Sequence, residues 1–390
     1  MKKIDKMSRI GRRMKYSSAN GEHYSAYIPK PLPPVPTINL TNLYPLLDKA
    51  NTAIGRLDGM RMVLPDSSLF LYMYVRKEAI LSSQIEGTQS SLSDLLLFEA
   101  HATPTVPIND VVEVSCHVSA MKYALERLNS LPLSLRLIKE IHAILMDNAR
   151  GHDKMPGEFR TSQNWIGGTR PGNANFVPPP PEYLMECLGD FEKFLHDDKD
   201  KLPVLVKAAL AHLQFETIHP FLDGNGRLGR LLITLILCIE NVLEEPLLYL
   251  SLYLKTHKQE YYNHLQTVRE NGDWESWIEF FLVGIIETAN QATQTAQAII
   301  KLFNIDRKTI ESSGKSTATM LSIHTLFQKQ AIAGTTIIKN SCKVSLPTVL
   351  RSLKTLESLE IIKEVSGKER NKVFIYSSYL KLLNQATELT

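Results

Sequence analysis

With 390 residues, 44% of them hydrophobic and 22% charged, the chain has the make-up of a soluble globular protein with room for two or three domains. Its net charge of +3 excludes a polyanion partner for the molecule as a whole. Four scattered cysteines without a CxxC pair exclude a zinc site or disulfide framework and point to reduced thiols in a cytoplasm.

Residues 1–15 carry seven Lys or Arg and one Asp, with no apolar core, which reads as a frayed basic tail rather than a secretory signal. The run 27–36 holds five prolines and cannot be helix. It reads as an extended arm packed on the protein's own surface, with an SH3-like partner as the alternative. Residues 40–59 predict an amphipathic helix and 67–83 a second. The second runs into Ser82-Ser83-Gln84-Ile85-Glu86-Gly87, a polar helix end with Gly87 near the C-cap. Helices follow over 111–128 and 133–149, the latter with Ser134 as N-cap. The helical period breaks over 157–168, and the stretch through Asn175, Phe176, Val177 and the prolines 178–181 predicts a β-hairpin. Pro181 opens another helix.

Residues 202–216 read as a buried helix, and 231–242 is almost wholly apolar yet too short to span a bilayer. Between these two core helices lies His219-Pro220-Phe221-Leu222-Asp223-Gly224-Asn225-Gly226-Arg227-Leu228-Gly229-Arg230. Gly224, Asn225 and Gly226 accept positive φ, so their N–H groups can converge on one point, and the helix beginning near Gly226 adds its positive end. Arg227 and Arg230, one turn apart, oppose the helix dipole unless a multiply charged anion sits there. A di- or triphosphate fits. Asp223 would repel that anion unless a divalent metal bridges carboxylate and phosphate. His219 stands where it could take a proton from an attacking hydroxyl.

These twelve residues resemble the motif of the Fic family, His-Pro-Phe-x-(Asp/Glu)-Gly-Asn-Gly-Arg-x-x-Arg, at every fixed position. The resemblance implies a mainly α fold, a Fic-type helical bundle with a β-hairpin flap, that moves AMP from ATP to a protein hydroxyl. His219 would be the general base and Asp223 the Mg²⁺ ligand. Gly224, Asn225 and Gly226 would form the anion hole, with Arg227 and Arg230 on the β- and γ-phosphates and Leu228 and Gly229 in the same ATP-binding run. Ser82, Glu86 and Gly87 match the family's inhibition motif (Ser/Thr)-x-x-x-Glu-(Gly/Asn). A carboxylate from Glu86 reaching Arg230 would take the place of the γ-phosphate, so the protein would restrain itself. The predicted hairpin corresponds to the flap on which an extended segment of the target protein docks. Tyr261 and Tyr262 resemble positions near the adenine, where a ring stacks on the base.

Residues 274–289 predict an apolar helix closing the core, 291–306 a polar helix and 311–317 a linker. Gly314-Lys315-Ser316 is not a phosphate-binding P-loop, because Thr309 stands where the first glycine belongs and no strand precedes it. Helices over 319–330, 335–341 and 345–356, then strands over 361–365 and 372–376, give the order of a winged helix-turn-helix domain. From 315 to 376 there are ten Lys or Arg against four Glu, a bias suited to phosphates, so DNA joins a homodimer among the partners this reading admits. The expected division is 1–110 (arm and inhibitory helices), 111–300 (Fic core) and 315–390 (winged helix). Two alternatives remain: a Fic enzyme with another donor or one that removes AMP, and a transcriptional regulator in which the core senses nucleotide.

Overall fold

The computed structural model describes residues 6–17, 21–63, 67–99, 104–147, 153–197, 202–314, 317–367 and 371–384, with the side chains of 63–72 left aside. A hairpin of β1 (Arg12–Ser17) and β2 (His23–Ile28) comes first, pairing antiparallel from Arg12↔Ile28 to Ser17↔His23. The helices α1 (Tyr44–Gly59), α2 (Ser67–Ile85), α3 (Leu92–Glu99), α4 (Ile108–Arg127), α5 (Leu135–Leu145) and α6 (Pro181–His196) follow. At the centre lie α7 (Val204–Ile218) and α8 (Asn225–Ile239), then α9 (Ser251–Thr256), α10 (Lys258–Asn271) and α11 (Trp274–Ser312).

Both central helices are mostly apolar and covered on nearly every face, their buried polar residues gathering toward the loop between them. They pack on each other, α4 and α5 lie against α8, and α2 bridges α4, α8 and α9. Helix α11 closes the other side against α1, α7 and α10, where the indole of the fully buried Trp277 donates to the Ala209 carbonyl at 2.9 Å. Ser134 caps α5 as expected, its side chain accepting from Leu137 N. The four cysteines are unpaired.

Three sequence expectations are corrected. The basic N-terminal stretch is not a frayed tail beyond residues 1–5, which lie outside the described residues. Arg9 is 4% exposed, and its guanidinium donates to both Glu275 oxygens at 2.8 and 3.0 Å and to the Pro36 and Thr37 carbonyls. A buried bidentate pair of this kind cannot be seen in a charge count. That contact also fastens the Pro-rich arm to the protein's own surface, as does the Gln214 amide donating to Lys30 O.

Second, 274–289 and 291–306 are one 39-residue helix rather than two. The buried residues Ala289, Ala292, Ala296, Ile299 and Phe303 continue a single stripe at spacings of three and four through the polar region. The expected linker at 311–317 is therefore helical as far as Ser312. Third, the flap is not a regular hairpin: it is closed by one bridge, Ile166↔Phe176. Its base is joined to the N-terminal hairpin through Tyr27 N donating to Val177 O at 2.9 Å.

Beyond α11 the chain forms α12 (Thr317–Lys329), β3 (Ile332–Gly334), α13 (Thr335–Cys342), α14 (Leu346–Ser358), β4 (Lys363–Glu364), β5 (Val373–Ile375) and α15 (Ser377–Asn384). The three strands make an antiparallel sheet in the order β3-β5-β4, of which β3 was not expected. Helix α14 leaves Leu346, Leu350, Arg351 and Lys354 exposed. This unit is packed on the rest: α12 touches α11 and α2, and α15 touches α11 and α3. Among the described residues no helix is long and apolar enough to cross a membrane.

Candidate active site

Helix α7 ends at His219, which adopts a left-handed conformation (φ 49°, ψ 61°) that a residue with a Cβ enters only under constraint. The constraint is visible. The Arg160 side chain donates from Nε to the His219 carbonyl at 2.9 Å, and the Asn164 amide donates to the same oxygen at 3.1 Å and to Phe221 O at 2.9 Å. Arg160 N also donates to Pro220 O. From the other side Asn225 accepts from Phe221 N at 2.9 Å and donates to Phe221 O at 2.8 Å. His142 stacks on Phe221 with ring centroids 3.7 Å apart. It accepts from Gly157 N at Nδ1, so Nε2 carries the proton and donates to Asp223 O at 3.0 Å. The loop is thereby fixed from flap, α5 and α8 at once.

Gly224 has φ 78° and serves as N-cap of α8. The first N–H groups of a helix lack intrahelical partners, so those of Asn225, Gly226 and Arg227 are available to an anion. Gly224 N instead donates to Asp223 Oδ1 at 2.6 Å. The side chain of Asn225, 2% exposed, is spent on Phe221, so this residue can contribute to an anion hole only through its backbone.

The two arginines are held differently. Arg230 is 2% exposed and already occupied: it donates to Ser82 Oγ (2.9 Å), Ser82 O (2.9 Å) and Glu86 Oε1 (2.7 Å). Burial pulls the Glu86 carboxyl up, but Arg230 outweighs it and holds the group below its ordinary value. Gly87, just beyond α2, turns the chain with φ 99°. The Glu86 carboxylate lies over the start of α8, where a Cβ on Gly226 would meet Oε1 at 2.3 Å. Arg227 leans away toward α4, with Nη1 3.1 Å from Glu113 and Nη2 3.3 Å from Met146 Sδ.

His219, Asp223, Gly224, Asn225, Gly226, Arg227, Arg230, Glu86, Tyr261 and Tyr262 line one cavity of about 760 Å³ beside the flap residues Trp165, Ile166 and Phe176. Leu228 and Gly229 do not reach it: Leu228 is fully buried, and Gly229 faces Glu216 and Phe215. Ser82 is also fully buried and meets the site only through Arg230. Of the two tyrosines, Tyr261 is 1% exposed, its hydroxyl donating to His212 Nε2 at 2.9 Å, whereas Tyr262 is 39% exposed and offers its ring face. A groove of about 640 Å³ lies by the other ends of α7 and α8, lined by Leu125, Leu195, Ile236 and Ile239 among others. Size does not choose between the two, and the second also carries Lys207 and His196, but only the first sets buried arginines and His219 against a helix N-terminus.

The imidazole of His219 is pushed down to about 3 by burial, with Arg269 and Arg160 adding to the effect, so it is neutral. Among the described residues no three His, Cys, Asp or Glu side chains converge as a metal cage. Magnesium asks for none, since one carboxylate, waters and the phosphates of a substrate suffice. Asp223, its side chain 47% exposed at the cavity rim, fits that donor set. Three residues of the site carry no motif and were passed over. Glu216 lies one turn before His219 on the same helix face, a spacing that was readable. Arg269, stacked 3.8 Å from the Phe176 ring centroid and donating to Thr217 Oγ1 and Glu216 O, and Glu113 come from distant helices and gave no local signal.

Residues 44–126 match the family model described as Fic/DOC family N-terminal, and 132–237 match that of the Fic/DOC family. A protein adenylyltransferase Fic of Aedes aegypti is 32% identical over 242 residues, covering 60% of this chain and 44% of that protein. Protein adenylyltransferase fic-1 of Caenorhabditis elegans is 31% identical over 174 residues, covering 43% and 31%. The match thus spans less than half the length of these curated relatives. Among solved structures, a Fic family protein from Desulfovibrio desulfuricans shares the fold with a TM-score of 0.56 at 18% identity, over 87% of this chain and 97% of that one. A Fic domain containing signaling protein from Bacteroides thetaiotaomicron gives 0.52 at 19% identity, over 64% and 97%.

Proposed function

We propose that this chain, whose residues 44–126 and 132–237 are Fic/DOC family domains, moves AMP from ATP to a hydroxyl of a target protein and restrains itself through Glu86. One observation carries the reading: a single cavity holds the bare N-terminus of α8, Arg230 and a neutral imidazole, with the Glu86 carboxylate seated among them. The adenylyltransferase names of the mosquito and nematode relatives support it. The proposed division is a regulatory 1–110, a catalytic 111–300 and a winged-helix 315–390.

In this mechanism the N–H groups of Asn225, Gly226 and Arg227 and the positive end of α8 take the phosphate oxygens. Arg230, once released from Glu86, orients the γ-phosphate, and Arg227 flanks the β-phosphate. Tyr262 gives the adenine a stacking face, with Tyr261 packed behind it. Asp223 would hold a magnesium ion, which would supply positive charge against the phosphates. A target strand pairs with the flap and presents its hydroxyl. His219 takes the proton as the oxygen bonds to the α-phosphorus; the bond from that phosphorus to the β-phosphate oxygen breaks, and pyrophosphate leaves. The triphosphate's own negative charge raises the basicity of the imidazole beside it.

The test uses ATP labelled at the α- or the γ-phosphate with wild type, His219→Ala and Glu86→Gly, following label on the protein itself and on lysate proteins. Label should come from the α-position alone. It should be weak in wild type, strong in Glu86→Gly, and about 10²–10⁴-fold below wild type in His219→Ala. Transfer from the γ-position, or wild-type labelling by His219→Ala, would overturn the reading.

A further inference from the structure

Beside the proposed base, two buried polar atoms make no well-formed hydrogen bond among the described residues: Glu216 Oε1, and His219 Nδ1, which has only the Glu216 main-chain oxygen nearby. Glu216 stands one turn before His219 on α7 and is 6% exposed, and its Oε2 lies 3.8 Å from Nδ1. A buried carboxylate left unmatched is costly, and proteins retain such groups where they have a task. The fold also makes room for it. At Gly229 on α8 a Cβ would fall 2.4 Å from Glu216 Oε1, so any other residue there would evict the carboxylate. No property of a phosphate site asks for glycine at that position, since Gly229 does not reach the cavity.

We propose that Glu216 is the positioning residue of the base: with Glu86 withdrawn, its carboxylate closes on the Nδ1–H of His219, fixes that tautomer, and leaves Nε2 to receive the proton of the incoming hydroxyl. This rests on the reading of His219 as the base. Closing from 3.8 Å to an ordinary hydrogen bond of about 2.8 Å needs about 1 Å of movement, and catalytic contacts are commonly that loose before substrate binds. The main-chain oxygen of Glu216 also faces the imidazole. It favours the same tautomer but brings no negative charge to the ring.

The charged and titratable groups around this pair come from every element packed on it: Arg230 from α8, Arg269, Tyr261 and Tyr262 from α10, Glu86 just past α2 and Arg160 from the flap. Burial, against the pull of Arg230 and with a smaller push from Glu86, brings the Glu216 carboxyl up to about 7. Near neutral pH it is therefore Glu216, not His219, that changes charge in the site. Glu86 then acts on the site twice, by holding Arg230 and by adding to the burial that favours protonated Glu216.

The experiment compares Glu216→Ala and Glu216→Gln in the Glu86→Gly background, with His219→Ala as control and α-labelled ATP as probe. Glu216→Ala should slow self-labelling roughly 10- to 100-fold, the range usual for a group that orients a functional histidine, at an unchanged half-saturating ATP concentration. Glu216→Gln, whose amide oxygen still accepts from Nδ1–H, should recover most of that rate. It should also lose the rise in rate that the parent, freed of the Glu86 charge, shows as Glu216 ionises below about pH 7. Ring ¹⁵N NMR of His219, which needs no activity, should show the Nδ1–H tautomer in the parent and a mixture in Glu216→Ala. A Glu216→Ala rate within about twofold of the parent, beside an inactive His219→Ala, would overturn this proposal and leave the base intact. An active His219→Ala would overturn the base itself. Should Glu216→Ala fail to fold, a Glu216→Gln profile that still rises like the parent's would overturn the proposal equally.

Discussion

His219 shows how little of a site lies in residue identity alone. Its type and place were legible from the motif, but its left-handed backbone was not, because the clamp formed by Arg160, Asn164 and Asn225 arrives from sequence-distant elements. Ionisation states were equally hidden. Burial pushes both Glu216 and Glu78 up to about 7, whereas an unfolded glutamate titrates near 4.5. Between these values the folded chain holds protons that the unfolded chain has released, so stability should fall as pH rises through that window and level off above it. Thermal unfolding of wild type and Glu216→Gln at a series of pH values checks this. The variant should show the shallower fall, and identical slopes would mean that Glu216 is already ionised in the folded protein.

On the proposed reading helix α2 would work as a latch, because Glu78 and Ser82 within it and Glu86 just past its end recur every fourth position. The first accepts from Ser251 N and Oγ at the start of α9, and the other two hold Arg230. The same C-terminal end is caught once more: Lys258 donates to Ile85 O at 2.6 Å, a cation on the carbonyl end of a helix. Self-labelling should therefore rise in the order wild type, Ser82→Ala, Glu86→Gly, since each change removes more of the grip on Arg230. Arg230→Ala added to Glu86→Gly should cancel the gain, because both act through one contact. Labelling by that double variant at the Glu86→Gly level would show that the released arginine does nothing for transfer. The Ser82–Glu86 spacing was readable in advance, but the grip of α9 and α10 was not, since it depends on how three helices meet.

Across the molecule, the order of elements followed from apolar periodicity, and errors arose where burial ran against composition. The polar half of α11 read as a separate helix and the basic N-terminus as loose chain, yet each is tied down by buried contacts. At about 1.5 Å per residue, α11 is a rod of roughly 58 Å carrying both the core and the C-terminal unit. Met73, Tyr74, Leu92, Thr295 and Leu383 meet around one small cavity, so that unit braces α2 rather than hanging from a tether. Ending the chain after Ser313 should lower the unfolding midpoint and raise self-labelling, because α2 loses a support. A shortened protein that labels itself no faster than the full chain would show that the unit has no hold on the latch.

The stitching of Arg160 and Asn164 onto the backbone of residues 218–221 leaves no joint between flap and base. On the proposed reading, a target strand laid on the flap would meet the imidazole at a set offset, as work meets a fixed caliper. Side chains of an extended strand alternate between faces, so a shift of one residue would turn the hydroxyl to the wrong side entirely. Choice of target would then depend on where along its strand a hydroxyl falls before it depends on whether that hydroxyl belongs to Ser, Thr or Tyr.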